Sequence, residues 1–124
     1  MSFTPEKIHE EIKRDNLDKR SALDLLILLM DYLDDDAKRK KCVNLLSKLQ
    51  FSQEGVFEVL ENLLLCDPNQ EIRHLVANLL KTRFLHKAID PMEWALQHES
   101  SYECLITIVN CLKEIGNERA KEAI

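Results

Sequence analysis

The sequence predicts an all-α fold, a short α-solenoid of about three stacked helical pairs behind an N-terminal capping helix. A segment recurs about every 33 residues along the chain. Glycine and proline are scarce, with 2 and 3 copies, and no run of alternating β-branched residues indicates a strand. A helical unit repeated at this period cannot bury its apolar face alone, so neighbouring units must stack.

The recurring segment is clearest at residues 67–81. Moved toward the N-terminus by about 34 residues, it matches Arg73 to Arg39 and Asn78 to Asn44. Moved toward the C-terminus by about 32 residues, it matches Asn78 to Asn110. At 124 residues the chain has room for one such domain. We predict a capping helix at 1–16, repeats at 17–50, 52–83 and 86–115, and the start of a further helix at 117–124.

Helix-start signals justify the first three helices. Thr4 with Pro5 opens the first, because proline at the first helical position sacrifices no hydrogen bond. The second helix, from about Leu17, has an entirely apolar centre at 25–30, so it should be covered on more than one side. The acidic residues 34–36 open the third at the positive end of its dipole.

Similar signals mark the later helices. We predict that Ser52 caps the fourth helix, and that Asp67-Pro68 starts the fifth with Gln70 closing a capping box. The remaining signals are Asp90-Pro91 for the sixth helix, Ser100 to Glu103 for the seventh, Gly116 as the C-terminal stop and Asn117 as the cap of the eighth.

The fifth helix resembles the second helix of a HEAT repeat. Asp67 is followed after four residues by Ile72-Arg73, as in that family, and the resemblance extends loosely over residues 17–124. It implies a ladder in which such an Asp and Arg join neighbouring units, here Asp67 and Arg73. The first repeat has Arg39 but Leu33 at the Asp position. The third has Glu99 at the Asp position and Leu105 at the Arg position, so we expect the ladder to be broken in the third repeat.

The family resemblance implies a non-catalytic protein–protein interaction scaffold or adaptor. Asn44, Asn78 and Asn110 recur in mid-helix, although asparagine is a poor helix former. Armadillo repeats, relatives of HEAT, bind the backbone of an extended peptide with such a row of amides. The same residues could instead tie neighbouring helices together or face solvent. The predicted partner-binding strip on the inner face consists of Lys40, Asn44, Ser47, His74, Asn78, Lys81, Ile106, Asn110 and Lys113.

Other classes of function receive less support. The net charge of −5 disfavours nucleic acid, and the longest apolar stretch is too short for a membrane span. With no signal peptide in the sequence, we expect a cytoplasmic protein with reduced cysteines. The four cysteines contain no Cys-x-x-Cys and the histidines no His-Glu-x-x-His, so we expect no metal and no cofactor. The alternative is a HEAT-type enzyme or enzyme-associated subunit, either lyase-like or nucleic-acid-modifying.

We expect the basic run Lys38 to Lys41 to form a solvated helix surface whose charge is largely neutralised by nearby acids. Acidic residues 34–36 precede residues 38–40 by four positions each, a spacing that pairs acids with bases on one helix surface.

At the other end of the chain, the short last helix leaves Ala120, Ala123 and Ile124 with little to cover them. We therefore expect this edge to fray, or to be covered by a second copy in a homo-oligomer.

Overall fold

Eight α-helices and one short 3₁₀ turn make up the part of the chain that the computed structural model describes, residues 4–48 and 54–124. No strand occurs in these residues, which confirms the all-α prediction. The helices are α1 (Pro5–Lys13), α2 (Lys19–Tyr32), α3 (Asp36–Lys48), α4 (Glu54–Cys66), α5 (Gln70–Arg83), the 3₁₀ turn (Leu85–Lys87), α6 (Ile89–His98), α7 (Tyr102–Ile115) and α8 (Glu118–Ala123).

The helix starts follow the capping signals in the sequence, except at α5 and α6. Thr4 accepts a hydrogen bond from the Lys7 N–H, and Asn117 accepts one from the Ala120 N–H. The predicted start of α5 is wrong, because Asn69 rather than Asp67 caps it by accepting from the Glu71 and Ile72 N–H groups. The Asp67 carboxylate instead accepts from the Asn69 N–H and so shapes the turn before the helix. The predicted Asp90-Pro91 start of the sixth helix is wrong, because α6 begins at Ile89 with Ala88 at its N-cap and no side-chain cap. Ser52 lies outside the described residues.

Two compact units are present, residues 1–56 and 57–124. In the first unit α1, α2 and α3 pack against one another in all three pairings. Ile8, Leu26 and Leu46, one from each helix, are almost completely buried. Leu26 and Met30 from the apolar centre of α2 are buried in this packing, whereas Leu28 is 55% exposed, so the prediction that this centre is covered on more than one side holds only in part.

The second unit is organised around α5 and α7, which lie side by side. His74 Nε2 is 3.1 Å from Thr107 Oγ1, and Lys81 Nζ is 3.5 Å from a carboxylate oxygen of Glu114. Both pairs are separated by 33 residues, so the two helices run parallel and in register. α6 and α8 pack against α7 and against each other.

The contact with α7 changes which residues of α5 are buried. The 100° spacing predicts that Ala77 faces away from the core, yet Ala77 is completely buried. Leu79, predicted to lie in the core, is only half-buried, while Leu80 is completely buried. The buried surface of α5 is rotated toward α7, because that helix covers one flank of α5 in addition to its apolar face.

The C-terminal helix is better covered than the sequence predicts. Gly116 adopts the left-handed conformation with φ of 66°, which ends α7 and lets the chain turn into α8. Ala120 is completely buried, and the Arg119 guanidinium binds both Asp90 and Glu93 of α6. The prediction that Ala120 lacks cover is therefore wrong, whereas Ile124 is exposed as expected.

Candidate functional site

A salt bridge joins α5 to the segment that precedes α7. Arg73 donates through Nε and Nη2 to the two carboxylate oxygens of Glu99, each at 2.9 Å, and through Nη1 to the Asp67 carbonyl at 2.8 Å. Glu99 therefore pairs with Arg73, contrary to the expectation for this position, whereas Leu105 at the Arg position of the third repeat has no charge with which to continue such a ladder. Glutamate has one more methylene than aspartate, and its carboxylate still reaches the guanidinium with both oxygens.

The Glu99 carboxylate is nearly enclosed, with 3% of its side chain exposed. Burial alone would raise its pKa, but the hydrogen bond from Arg73 and those from the backbone N–H groups of Ser101 and Ser100 outweigh burial, so the pKa lies below its usual value. Every partner of Glu99 thereby favours the ionised form. Arg73 and Glu99 join the start of α5 to the segment before α7, so the bridge has a structural role.

The residues of the predicted strip are divided between the two units. Lys40, Asn44 and Ser47 lie on α3 in the first unit, where Asn44 is exposed and the other two are half-buried. The second unit contains the rest. Because α5 and α7 lie side by side, it brings together His74, Asn78 and Lys81 from α5 with Ile106, Asn110 and Lys113 from α7.

The residues of the strip predict a mildly basic surface, but two of its basic side chains on α5 have partners on α7. Lys81 is directed at Glu114, and His74 at Thr107, with a Glu103 carboxylate oxygen 4.0 Å from the second ring nitrogen. These contacts follow from the register of 33 residues, one more than the sequence alignment suggests. Lys113 is the exposed lysine of this strip.

The asparagine amides of the strip face solvent. Asn78 and Asn110 are both exposed, and in the described part of the chain neither side-chain amide is hydrogen-bonded to another residue. Asn44 shares these properties on α3. The amides therefore do not tie neighbouring helices together, which was one of the interpretations left open by the sequence.

A shallow apolar surface along one face of α7, called the α7 groove below, includes the Asn110 amide. Most of its residues were not identified from the sequence. Tyr102 and Ile106 are 82% and 62% exposed, and half-buried Leu105 and Val109 lie beside them. Asn110 and Lys113 complete the lining. A signal was available in the sequence, because α7 carries apolar residues on the surface opposite Ile108 and Cys111 as well as in the core.

The cysteines and Trp94 are the other residues that could take part in chemistry or binding. Burial raises the pKa of the Cys42 and Cys111 thiols to about 11, with small additions from Glu6 and Glu114 respectively, so both are protonated and poor nucleophiles at neutral pH. A lone tryptophan predicts packing between repeats, but Trp94 is 44% exposed and stacks on His98 with 3.9 Å between ring centres. The four cysteines are free thiols.

Comparisons of the chain with protein-family models, curated proteins and solved structures yield no match. The HEAT resemblance therefore rests on the residues of the sequence alone. Within the described ranges, no helix has the length and apolar character that crossing a bilayer requires.

Proposed function

We propose that this protein is a non-catalytic interaction module that binds an extended segment of a partner protein on the surface formed by α5 and α7. The observation that carries the proposal is the apolar groove of α7. Large apolar side chains such as Tyr102 and Ile106 are normally covered, and a contiguous exposed group of them beside polar residues is typical of a protein-binding surface.

The length of the groove sets the size of the bound segment. Tyr102 and Lys113 lie three helical turns apart, or about 16 Å along the α7 axis. An extended chain covers that distance with about five residues. A short peptide segment, rather than a whole folded surface, is sufficient to fill it.

The exposed amides favour an extended segment over a helix. The register of α5 and α7 places Asn78 beside positions 110 and 111, so the amides of Asn78 and Asn110 lie on the same part of the surface. An extended peptide offers unpaired backbone N–H and C=O groups to such amides, whereas a helix has already satisfied its own. Binding a backbone would also explain why asparagine is placed in mid-helix.

Charge adds a further requirement for the partner. Lys113 is exposed at one end of the groove, while Lys81 is directed at Glu114. A single acidic residue near one end of the bound segment would complement Lys113. We therefore propose a segment with apolar residues along its length and one carboxylate.

The HEAT-like α-solenoid belongs to the same proposal. Its support is the parallel, in-register packing of α5 and α7 together with the Arg73–Glu99 bridge between them. Free thiols suit the reducing cytoplasm, where we place the protein. The protonated state of the buried Cys42 and Cys111 supports a binding role over thiol catalysis.

Selection from a library of random dodecapeptides displayed on phage tests the groove directly. We expect enriched peptides that share an apolar core and an acidic residue, and Ile106→Ser should weaken their binding at least about tenfold, or about 1.4 kcal/mol. Leu28→Ser on α2 is the matched control, because Leu28 is similarly exposed at 55% and lies in the other unit. Equal losses in both variants, or no enrichment, would contradict the proposal.

Two further measurements test whether the amides recognise a peptide backbone and whether a second copy of the chain occupies the groove. The double substitution of Asn78 and Asn110 by alanine should also weaken binding about tenfold, while the folded state survives because alanine is the better helix former. Normal binding by this variant would exclude backbone recognition by the amides. Sedimentation velocity addresses the homo-oligomer, because a dimer that Ile106→Ser dissociates would make a second copy the occupant of the groove.

A further inference from the structure

A small cleft lies between α1 and α3 in the first unit, whereas the groove proposed above belongs to the second unit. Its volume is about 200 Å³. Buried Pro5 and Leu45 provide its apolar surface. The polar residues that line it are Glu6 and His9 from α1 with Lys41, Asn44 and Lys48 from α3.

The cleft carries a positive charge in an acidic protein. Lys41 and Lys48 contribute two positive charges and Glu6 one negative charge, which leaves one positive charge when His9 is counted as neutral. Lys41 Nζ lies 3.0 Å from a Glu6 carboxylate oxygen, and both side chains are 60% exposed. Exposed pairs of this kind contribute little, so a carboxylate from another molecule can share or replace Glu6 at Lys41.

We propose that this cleft binds a glutamate or aspartate side chain of an acidic peptide segment. Its size is below that of pockets for drug-sized ligands, so it fits one side chain rather than a cofactor. Its single excess charge matches one carboxylate better than a phosphate, which carries about −1.5 to −2. The Asn44 amide, exposed at the cleft, can donate to the second carboxylate oxygen.

Three exposed lysines of α3, Lys38, Lys41 and Lys48, provide variants that test this inference. The double variant K41Q/K48Q removes both cations from the cleft. K38Q makes the same chemical change at one exposed lysine of α3 that does not line the cleft. Long-range attraction to the whole protein would respond to all three lysines, whereas a local site responds only to Lys41 and Lys48.

The experiment is a titration of the ¹⁵N-labelled full chain, followed by amide NMR shifts, with an end-blocked tetraglutamate peptide. We expect saturable shifts concentrated at residues 5–9 and 41–48, and no such shifts with the matched tetraglutamine peptide. The dissociation constant should rise at least about fivefold in K41Q/K48Q and change less than about twofold in K38Q.

Three outcomes would overturn the inference. These are shifts spread over both units, equal weakening by K38Q, and tighter binding of inorganic phosphate than of the glutamate peptide at the same ionic strength. Unchanged amide spectra of the free variants establish that they remain folded. Ile106→Ser should bind the glutamate peptide normally, so failure at the α7 groove and failure at this cleft are separate results.

Discussion

The helices α5 and α7 are neighbours of the same length and direction, yet their exposed surfaces differ. Each is 14 residues long, and each buries apolar residues along its inner surface, such as Ile72 and Leu80 in α5 and Ile108 and Leu112 in α7. The exposed surface of α5 carries Asn78 and other polar residues. That of α7 carries the large apolar residues Tyr102 and Ile106 in addition to polar ones such as Asn110 and Lys113.

This difference separates the requirements of the fold from those of a binding surface. Buried residues at helical spacing are needed wherever α5 and α7 pack, so both helices share them. Exposed positions are free of that requirement, and water favours polar residues there. Between these two helices, large apolar residues are exposed on α7 only, and the proposed binding surface rests on this difference.

The largest effects should follow from truncating the shared buried residues. We expect Leu80→Ala and Leu112→Ala each to lower the free energy of unfolding by about 2–5 kcal/mol, because both leucines are completely buried. Half-buried Leu79 is the internal control, and Leu79→Ala should cost only about 1 kcal/mol. Urea denaturation followed by circular dichroism measures all three. A larger loss for Leu79 than for Leu80 would contradict the helix rotation described above.

The second-largest effect on stability should come from breaking the Arg73–Glu99 salt bridge between α5 and the segment before α7. Glu99→Gln keeps the size of the side chain but leaves the buried Arg73 guanidinium without its carboxylate. We expect a loss of about 2–4 kcal/mol in the free energy of unfolding, since breaking a buried pair leaves one charge uncompensated. Glu103→Gln, close by in sequence with 82% of its side chain exposed, should change stability by less than about 0.5 kcal/mol. Similar values for both variants would mean that the bridge does not join α5 to α7.

The same bridge predicts a dependence on pH. The pKa of Glu99 is lower in the folded protein than its usual value of 4.5. Its contribution is therefore present above that value and is lost as the pH falls through the folded pKa. The stability difference between the native chain and Glu99→Gln should be constant near neutral pH and shrink below about pH 4.5. Urea denaturation of both proteins across this range checks the prediction, and a difference that grows toward acid would refute it.

The features that the sequence predicted well are local and periodic. Thr4, Gly116 and Asn117 mark helix ends through contacts a few residues away, so the chain near them is sufficient to recognise them. The Arg73–Glu99 bridge and the burial of Ala77 arise between α5 and α7. They depend on the register of the helices, and a periodicity analysis locates that register only to within a residue or so. The α7 groove does not depend on this register, because all its lining residues lie on α7; its apolar residues were present in the sequence, although only Ile106, Asn110 and Lys113 were identified.

The smallest effect should come from the exposed residues that distinguish α7. Ile106→Ser removes apolar surface that is already in water, so the free energy of unfolding should change by less than about 0.5 kcal/mol. Ile108→Ser, two residues away and completely buried, should destabilise by several times that amount, about 2–5 kcal/mol. Urea denaturation of the two variants compares the contributions of the exposed and the buried side of α7 to the free energy of unfolding. If Ile106→Ser proved as damaging as Ile108→Ser, Ile106 would be part of a buried contact in the folded protein. If it proved neutral, its apolar side chain would have no role in the fold, as the proposed binding surface requires.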